Sequence, residues 1–202
     1  MYKEIILDYN DLSPYISDDT LNIHLNIYKN NLAILNKLLK QANYDYRYSM
    51  KDLIKHIDIF PLNIRGEILY YLSSILNHNL YFYNISNNKY LEPDGLIGKD
   101  INKYFGNYNN FKQEFTNKAL NLKGSGYTFL VRDNIGTLKI INTSNEDSPY
   151  YYDYEPIIGL DLWEHSYFLD YYNDKNTYIA NFFKIIDFNK INKYYEKIAT
   201  TN

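Results

Sequence analysis

One short stretch of the chain combines residue types that bind metal ions. Residues 161–165 are Asp161-Leu162-Trp163-Glu164-His165, with a carboxylate and an imidazole four residues apart beside the only tryptophan. Two of the other histidines, His24 and His78, lie in upstream segments with a helical apolar pattern. Three imidazoles and one carboxylate form a ligand set that suits a redox-active metal. The sequence therefore raises a metal-binding hypothesis, which depends on whether these four residues meet in space.

Each histidine alone has a more ordinary interpretation, because a single histidine on an apolar helix face is more often a satisfied core residue than a ligand. Together they form a stronger pattern. His24 and His78 occupy the inward-facing stripes of two helices that we expect to pack on each other. Asp161 directly follows an apolar strand, where a carboxylate is costly unless it is paired or metal-bound. His56 lies in a polar stretch and is predicted to be a surface residue.

Composition limits the possible functions. The chain has 202 residues, enough for one larger domain or two small ones that share a core. It has no cysteine, so any metal must be held by imidazole and carboxylate, which suits iron, manganese or zinc. The net charge of −3 argues against a nucleic-acid binder. No run approaches the ~18 apolar residues of a membrane span, and no targeting segment is seen, so we expect a cytoplasmic protein.

Tyrosine is unusually frequent, at 25 residues. One explanation is the codon bias of an AT-rich genome. The other is a tyrosine-rich recognition surface, which is less favoured because the tyrosines are spread along the whole chain.

The first half of the chain has the pattern of two long helices. An extended arm covers residues 1–18. Apolar residues then recur at intervals of three or four positions and predict a helix over about 19–43. They are Leu21, Leu25, Tyr28, Leu32, Leu35 and Leu39. A short helix over 50–56 and a second long helix over 63–84 follow, separated by Pro61. Two such helices with apolar faces predict an antiparallel hairpin. We expect the N-terminal domain to span residues 1–88, with the loop Asn84–Gly98 as the boundary.

The second half mixes helices and strands. It predicts one helix over 99–122, strands at 127–131, 138–141 and 157–160, and helical structure over 166–198 interrupted near 173–176. The fold class is therefore α+β, an N-terminal antiparallel helical hairpin followed by a C-terminal α/β domain over residues 96–202 with a three-stranded antiparallel sheet.

At the level of motifs, the chain resembles the iron/manganese superoxide dismutases. Residues 161–171, DLWEHSYFLDY, are similar to the family signature DVWEHAYYLDY. The pair Asn77-His78 and residues 20–24, TLNIH, resemble segments of the first two family helices. Residues 105–115, with FG, NFK and a further Phe, and residues 124–131, GSGYTFLV, resemble two more family segments. These similarities occur in the family order along nearly the whole chain.

The resemblance implies one Mn or Fe ion per subunit, with Mn slightly favoured. It implies that His24, His78, Asp161 and His165 bind this ion, with a solvent molecule as fifth ligand. It also implies disproportionation of superoxide to oxygen and hydrogen peroxide in a homodimer or tetramer.

The residues expected around the ligands depart from the family pattern. The family places a glutamine against the metal-bound solvent, from the second helix in iron-type members and from the loop after the second strand in manganese-type members. Here the two positions are Ser74 and Glu146. A small residue in the helix and a long one in the loop keep the manganese-type arrangement but exchange an amide for a carboxyl group. If the alignment of the loop is one residue off, Glu146 instead points to solvent.

The substrate entrance has changed as well. Leu32 stands at the position of the family's entrance tyrosine, and Tyr28 replaces a family histidine. That histidine pairs across the family dimer with a tyrosine, which here is Phe168. Among the family tryptophans near the metal, Tyr127 and Phe129 are replacements and Trp163 is retained.

Two further charged residues have roles that the resemblance implies. Glu164 is expected to reach the ligand histidine of the other subunit and so to bridge the dimer. Lys175 is expected to steer the anionic substrate, although an ordinary solvated lysine is the alternative.

Three hypotheses follow for function. The first is a superoxide dismutase. The second is a protein of the same fold that binds metal but has weak or altered activity, because the entrance tyrosine and the solvent-binding glutamine are replaced. The third is a structural interaction module with satisfied histidines.

Overall fold

A computed structural model describes residues 1–87 and 92–200. Helix α1 spans Asp18–Gln41, and the Ser17 side chain caps it by accepting a hydrogen bond from the Thr20 N–H. Helix α2 spans Met50–Lys55, a 3-10 turn spans Ile57–Ile59, and helix α3 spans Leu62–Asn84 after Pro61. These bounds confirm the predicted helices to within one or two residues.

Helices α1 and α3 pack on each other in opposite directions. His24 contacts Phe82, and Asn31, two turns further along α1, bonds to Ser74, two turns earlier in α3. The contacts therefore run in opposite senses along the two helices, as the predicted antiparallel hairpin requires.

The predicted helix over 99–122 is wrong as a single element. Helix α4 spans Gly95–Phe105 and helix α5 spans Tyr108–Leu120. Gly106 takes a φ of +84°, which ends α4, and the Asn107 side chain caps α5 by accepting from the Asn110 N–H. The predicted loop Asn84–Gly98 is also too long, because α4 already begins at Gly95; its central residues 88–91 lie outside the described residues.

Three strands form one antiparallel sheet within the described part of the chain. Strand β1 spans Gly126–Arg132, β2 spans Leu138–Ser144 and β3 spans Glu155–Asp161, in the spatial order β2-β1-β3. The fold-class prediction is confirmed.

The C-terminal helices are more divided than predicted. A 3-10 turn, Pro149–Tyr152, precedes β3, and a second, Glu164–Ser166, follows it. Helix α6 spans Phe168–Tyr171, α7 spans Lys175–Ile185 and α8 spans Phe188–Ala199. The expected interruption falls at residues 172–174, and a second break separates α7 from α8. The domain limits of 1–88 and 96–202 stay a prediction. No helix in the described ranges is long and apolar enough to span a membrane.

Candidate metal centre

The structure brings four predicted ligand residues together. His24 comes from α1, His78 from α3, Asp161 from the end of β3 and His165 from the following 3-10 turn. One donor atom of each residue lies within 4.8 Å of the donor atoms of the others. The Nε2 atoms of His24, His78 and His165 lie 3.1, 3.8 and 3.3 Å from Asp161 Oδ2. The sequence separates these residues by up to 141 positions, so only the packing of the hairpin against the sheet can assemble them.

The backbone of the strand-to-turn junction fixes the Asp161 side chain. The Trp163 N–H donates a 2.8 Å hydrogen bond to Asp161 Oδ1, which leaves Oδ2 facing the three imidazoles. The Asp161 carbonyl accepts hydrogen bonds from the hydroxyls of Tyr178, at 2.8 Å, and Ser166, at 3.0 Å. The carboxylate is thus positioned by groups on both sides of it before any ligand binds.

The hydrogen bonds of His78 determine which ring nitrogen is free. His78 Nδ1 lies 2.7 Å from the Ser74 carbonyl, which can only accept, so Nδ1 carries the proton. His78 Nε2 then keeps its lone pair, and it is buried without a hydrogen-bond partner in the described structure. His165 Nε2 is likewise buried and unpartnered. Buried ring nitrogens without a partner are costly unless another group meets them, and the free lone pair of His78 Nε2 fits a bound metal ion.

Electrostatics favour neutral imidazoles at His24 and His78 and an ionised carboxylate at Asp161. Burial lowers the pKa of His24, and it lowers the pKa of His78 to about 3. Burial alone would raise the pKa of Asp161, but His165 and His24 outweigh it and the pKa is lowered. For His165, burial is outweighed by the Asp161 charge, so its pKa is raised. The protonation states of His24, His78 and Asp161 are those that a metal ligand needs.

A second polar group lies beside the four residues. Glu146 is buried, and its Oε2 accepts a 3.1 Å hydrogen bond from the Tyr127 hydroxyl. The nearby Ser74 side chain favours the ionised form of Glu146, but only weakly. Burial first, and then the Asp161 charge, raise the pKa of Glu146 to about 8. The structure therefore places Glu146 inward and opposite Ser74, and the side chain does not point to solvent.

Of the residues expected at the entrance, Tyr28 contacts the N-terminal arm. Tyr28 is buried, its ring centroid is 6.1 Å from that of His78, and its hydroxyl accepts a 2.9 Å hydrogen bond from the Ile5 N–H. Leu32 is buried one turn further along α1. Phe168 is instead half exposed at 49%. The arm is thus tied to Tyr28, which we predict to replace a family histidine.

The remaining predicted residues lie around the turn that carries His165. The Trp163 ring stacks on His165 at a centroid distance of 6.0 Å, and its indole N–H donates to the Asn145 carbonyl. Glu164 is exposed and accepts a 2.9 Å hydrogen bond from Ser125 Oγ. Lys175 lies at the start of α7 with Nζ 5.3 Å from the centre of the Tyr167 ring. The roles assigned to Glu164 and Lys175 stay predictions.

Sequence reasoning missed several residues that hold the centre. Tyr81 packs on His24 with ring centroids 4.9 Å apart, and Tyr178 bonds to both Tyr81 and the Asp161 carbonyl. The Asn77 side chain donates to the carbonyls of Glu146 and Asp147 and so ties the Glu146 loop to α3. Two sequence positions could have indicated these residues. Asn77 is next to the predicted ligand His78, and Tyr81 lies about one helical turn after it.

The fold and the donor set together define the class of protein: an α+β protein with a buried site that could hold one ion between a helical hairpin and a three-stranded sheet. The sequence model of the family described as iron/manganese superoxide dismutases, C-terminal domain, matches residues 93–194 of this chain. The chain belongs to the iron/manganese superoxide dismutase family.

Two relatives extend this similarity beyond the C-terminal domain. A protein of Leptolyngbya boryana named superoxide dismutase [Mn] 3 is 32% identical over 190 residues, which cover 94% of this chain and 80% of the relative. A protein of Legionella pneumophila named superoxide dismutase [Fe] is 33% identical over 177 residues, which cover 87% of this chain and 88% of the relative.

Proposed function

We propose that this chain is a superoxide dismutase that binds one Mn or Fe ion through His24, His78, Asp161 and His165. The observation that carries the proposal is the pair of buried, unpartnered Nε2 atoms on His78 and His165, directed with His24 at one carboxylate oxygen. Family membership supplies the reaction. When bound, such an ion supplies one-electron exchange with superoxide by alternating between the +3 and +2 states.

The residues of the chain have two tasks in this reaction. Two superoxide anions and two protons become one O2 and one H2O2, so the site must accept an anion and provide protons. Three imidazoles and a single carboxylate leave a divalent or trivalent ion with net positive charge, which attracts an anion. Glu146 holds a proton at neutral pH, because burial raises its pKa to about 8, and a protonated carboxyl group can donate it.

Manganese is slightly favoured over iron. The similar proteins include one named for each metal. The contact between Ser74 and Glu146 supports the manganese-type arrangement, with the long side chain supplied by the loop after β2. Because Glu146 has a carboxyl group where manganese-type members have an amide, the preference for manganese stays a proposal. Metal analysis of the purified protein tests it.

A homodimer or tetramer is the proposed assembly. Glu164 is exposed close to the half-exposed Phe168 and Leu169, at 49% and 53%, on the same turn and helix that follow the centre. A charged bridge with apolar neighbours suits a twofold interface. Light scattering of the purified chain tests this assembly. A cytoplasmic location stays a prediction, which cell fractionation tests.

The decisive experiment measures metal content and superoxide turnover on the same preparation. Bound metal with fast turnover supports the proposal. Bound metal without turnover would instead support the second hypothesis, a metal-binding protein with weak or altered activity. The replaced entrance tyrosine and solvent-binding glutamine would then explain the low activity. Absence of metal after supplying Mn and Fe during expression contradicts the proposed centre.

A further inference from the structure

A cavity of about 910 Å³ lies on the side of α3 opposite the metal centre. Along α3, Leu76, Asn79, Leu80 and Tyr83 line the cavity at spacings of three and four residues. His78 and Ser74 lie on the other face of the same helix, because each residue advances by about 100°. One helix therefore separates the metal centre from a second concave site that the proposed reaction does not use.

The inner wall of this cavity is largely apolar. Ile5 and Leu7 of the N-terminal arm and Met50 of α2 line it together with Leu76, Leu80 and Phe82 of α3. These α3 side chains are nearly inaccessible to water, with exposed fractions of 5%, 7% and 1%. A wall of this kind favours aliphatic chains, and it lacks the many hydrogen-bonding groups that a nucleotide base requires.

The rim has the opposite character. Lys190, Lys193 and Lys197 follow one another along one face of α8, and Lys51 faces them from α2. Among the described residues that line the cavity there are four lysines and a single aspartate, Asp8. The whole chain has a net charge of −3, so this local excess of positive charge is not a consequence of composition.

The lysines differ in how far they are already neutralised. Lys190 Nζ is 2.6 Å from Asp8 Oδ1, and Lys51 Nζ is 2.7 Å from Glu155 Oε1. Lys193 is exposed, and no carboxylate in the described ranges forms an ion pair with it. An anionic group at the rim would therefore meet a cation whose charge no neighbouring side chain offsets.

We propose that this cavity binds a free fatty acid, with its carboxylate at the Lys193 side of the rim and its aliphatic chain along the partly exposed Ile5, Leu7 and Met50. Charge complementarity selects the carboxylate, and the apolar wall selects the chain. Phe82 of the cavity floor also packs on His24, with ring centroids 4.8 Å apart, but no candidate metal ligand lines the cavity, so the proposal does not rest on dismutase activity.

The test is isothermal titration calorimetry of the full-length, metal-loaded chain with sodium dodecanoate below its micelle concentration. We expect saturable 1:1 binding. Octanoate should bind at least about tenfold more weakly, since each methylene that leaves water contributes up to about fourfold in affinity. Dodecan-1-ol, which lacks the charge, should bind about three- to tenfold more weakly than dodecanoate.

Lys193→Glu should weaken dodecanoate binding by about three- to tenfold. Lys37→Glu is the matched control, because Lys37 is an exposed helical lysine outside the cavity and its reversal should change binding by less than about twofold. Lys193→Gln provides a milder variant if the reversal impairs folding, and metal content is measured on each variant to show that the centre is intact.

Three results would overturn the proposal: no saturable binding of dodecanoate, equal binding of dodecanol and dodecanoate, or equal effects of Lys193→Glu and Lys37→Glu. Binding to phosphatidylglycerol vesicles without binding of free dodecanoate would also contradict it, since the surface would then recognise a membrane. A failure of dismutase activity leaves each of these measurements unaffected.

Discussion

The hydroxyl of Tyr127 donates a 3.1 Å hydrogen bond to Glu146 Oε2, and both side chains are buried beside the candidate ligands. This contact joins the central strand of the sheet to the loop after β2. It also turns inward the carboxyl group that we predict to replace the family's amide. Burial and the Asp161 charge oppose the ionisation of Glu146, and the opposite effects of Tyr127, His165 and Ser74 are smaller.

The first prediction concerns the pH dependence of stability in the metal-free protein. The pKa of Glu146 rises from 4.5 to about 8 on folding. Folding therefore favours the protonated group, and its contribution is fully present below pH 4.5 and lost as the pH rises through 8. Between pH 5 and pH 9, the wild-type chain should lose about 2–4 kcal/mol of unfolding free energy relative to Glu146→Gln. Urea unfolding at both pH values measures this difference.

The variant itself is the control for other titrating groups, because glutamine removes only the charge at position 146. A difference between the two proteins that stays constant from pH 5 to pH 9 would show that Glu146 does not change its protonation in that range.

The second prediction concerns metal binding. Asp161→Ala should abolish it, because this carboxylate lies within 3.8 Å of all three imidazole Nε2 atoms and supplies the only negative charge among the four residues. Metal analysis after dialysis measures the stoichiometry. Asp133→Ala is the matched control, since Asp133 pairs with Lys139 in the β1–β2 turn. Stoichiometric metal in the Asp161 variant would count against the ligand assignment.

The third prediction concerns the attachment of α3 to the sheet. The buried Asn84 side chain donates to the Ile157 carbonyl at 3.0 Å and accepts from the Gly159 N–H at 2.8 Å. Asn84→Ala leaves both backbone groups of β3 without these partners, so it should lower the unfolding free energy by about 2–4 kcal/mol. Asn121→Ala at the exposed end of α5 should change it by at most about 0.5 kcal/mol. Similar losses in the two variants would contradict the role of Asn84.

The fourth prediction compares two glycines. A Cβ atom at Gly126 would lie 2.2 Å from the Thr143 carbonyl oxygen, so Gly126→Ala must displace β1 from β2 and should cost about 1–3 kcal/mol. At Gly66 no atom lies within 4 Å of the added Cβ, and the residue is inside α3. Gly66→Ala should therefore stabilise the chain by about 0.5–1 kcal/mol. Thermal unfolding measures both changes, and destabilisation by Gly66→Ala would show that the helix packs differently there.

Local patterns predicted most elements because their causes are local. The apolar repeat from Leu21 to Leu39 and the capping Ser17 are sufficient to place α1. The missed break between α4 and α5 has a local cause too: Gly106 adopts a positive φ, and Asn107 then caps the next helix. The residue types for that break were present in the sequence, but the apolar pattern on either side of it concealed them.

The sequence by itself determined most of the elements, the types of the four candidate ligands and their order along the chain. It did so because helical periodicity, strand patterning and motif spacing depend on neighbouring residues. Only the tertiary structure decided that Glu146 turns inward to Tyr127 and that the Ser74 carbonyl holds the proton of His78. Only the tertiary structure, likewise, forms the open, lysine-rimmed cavity beside α3. These features depend on contacts between distant segments, whose distances and burial no local pattern specifies.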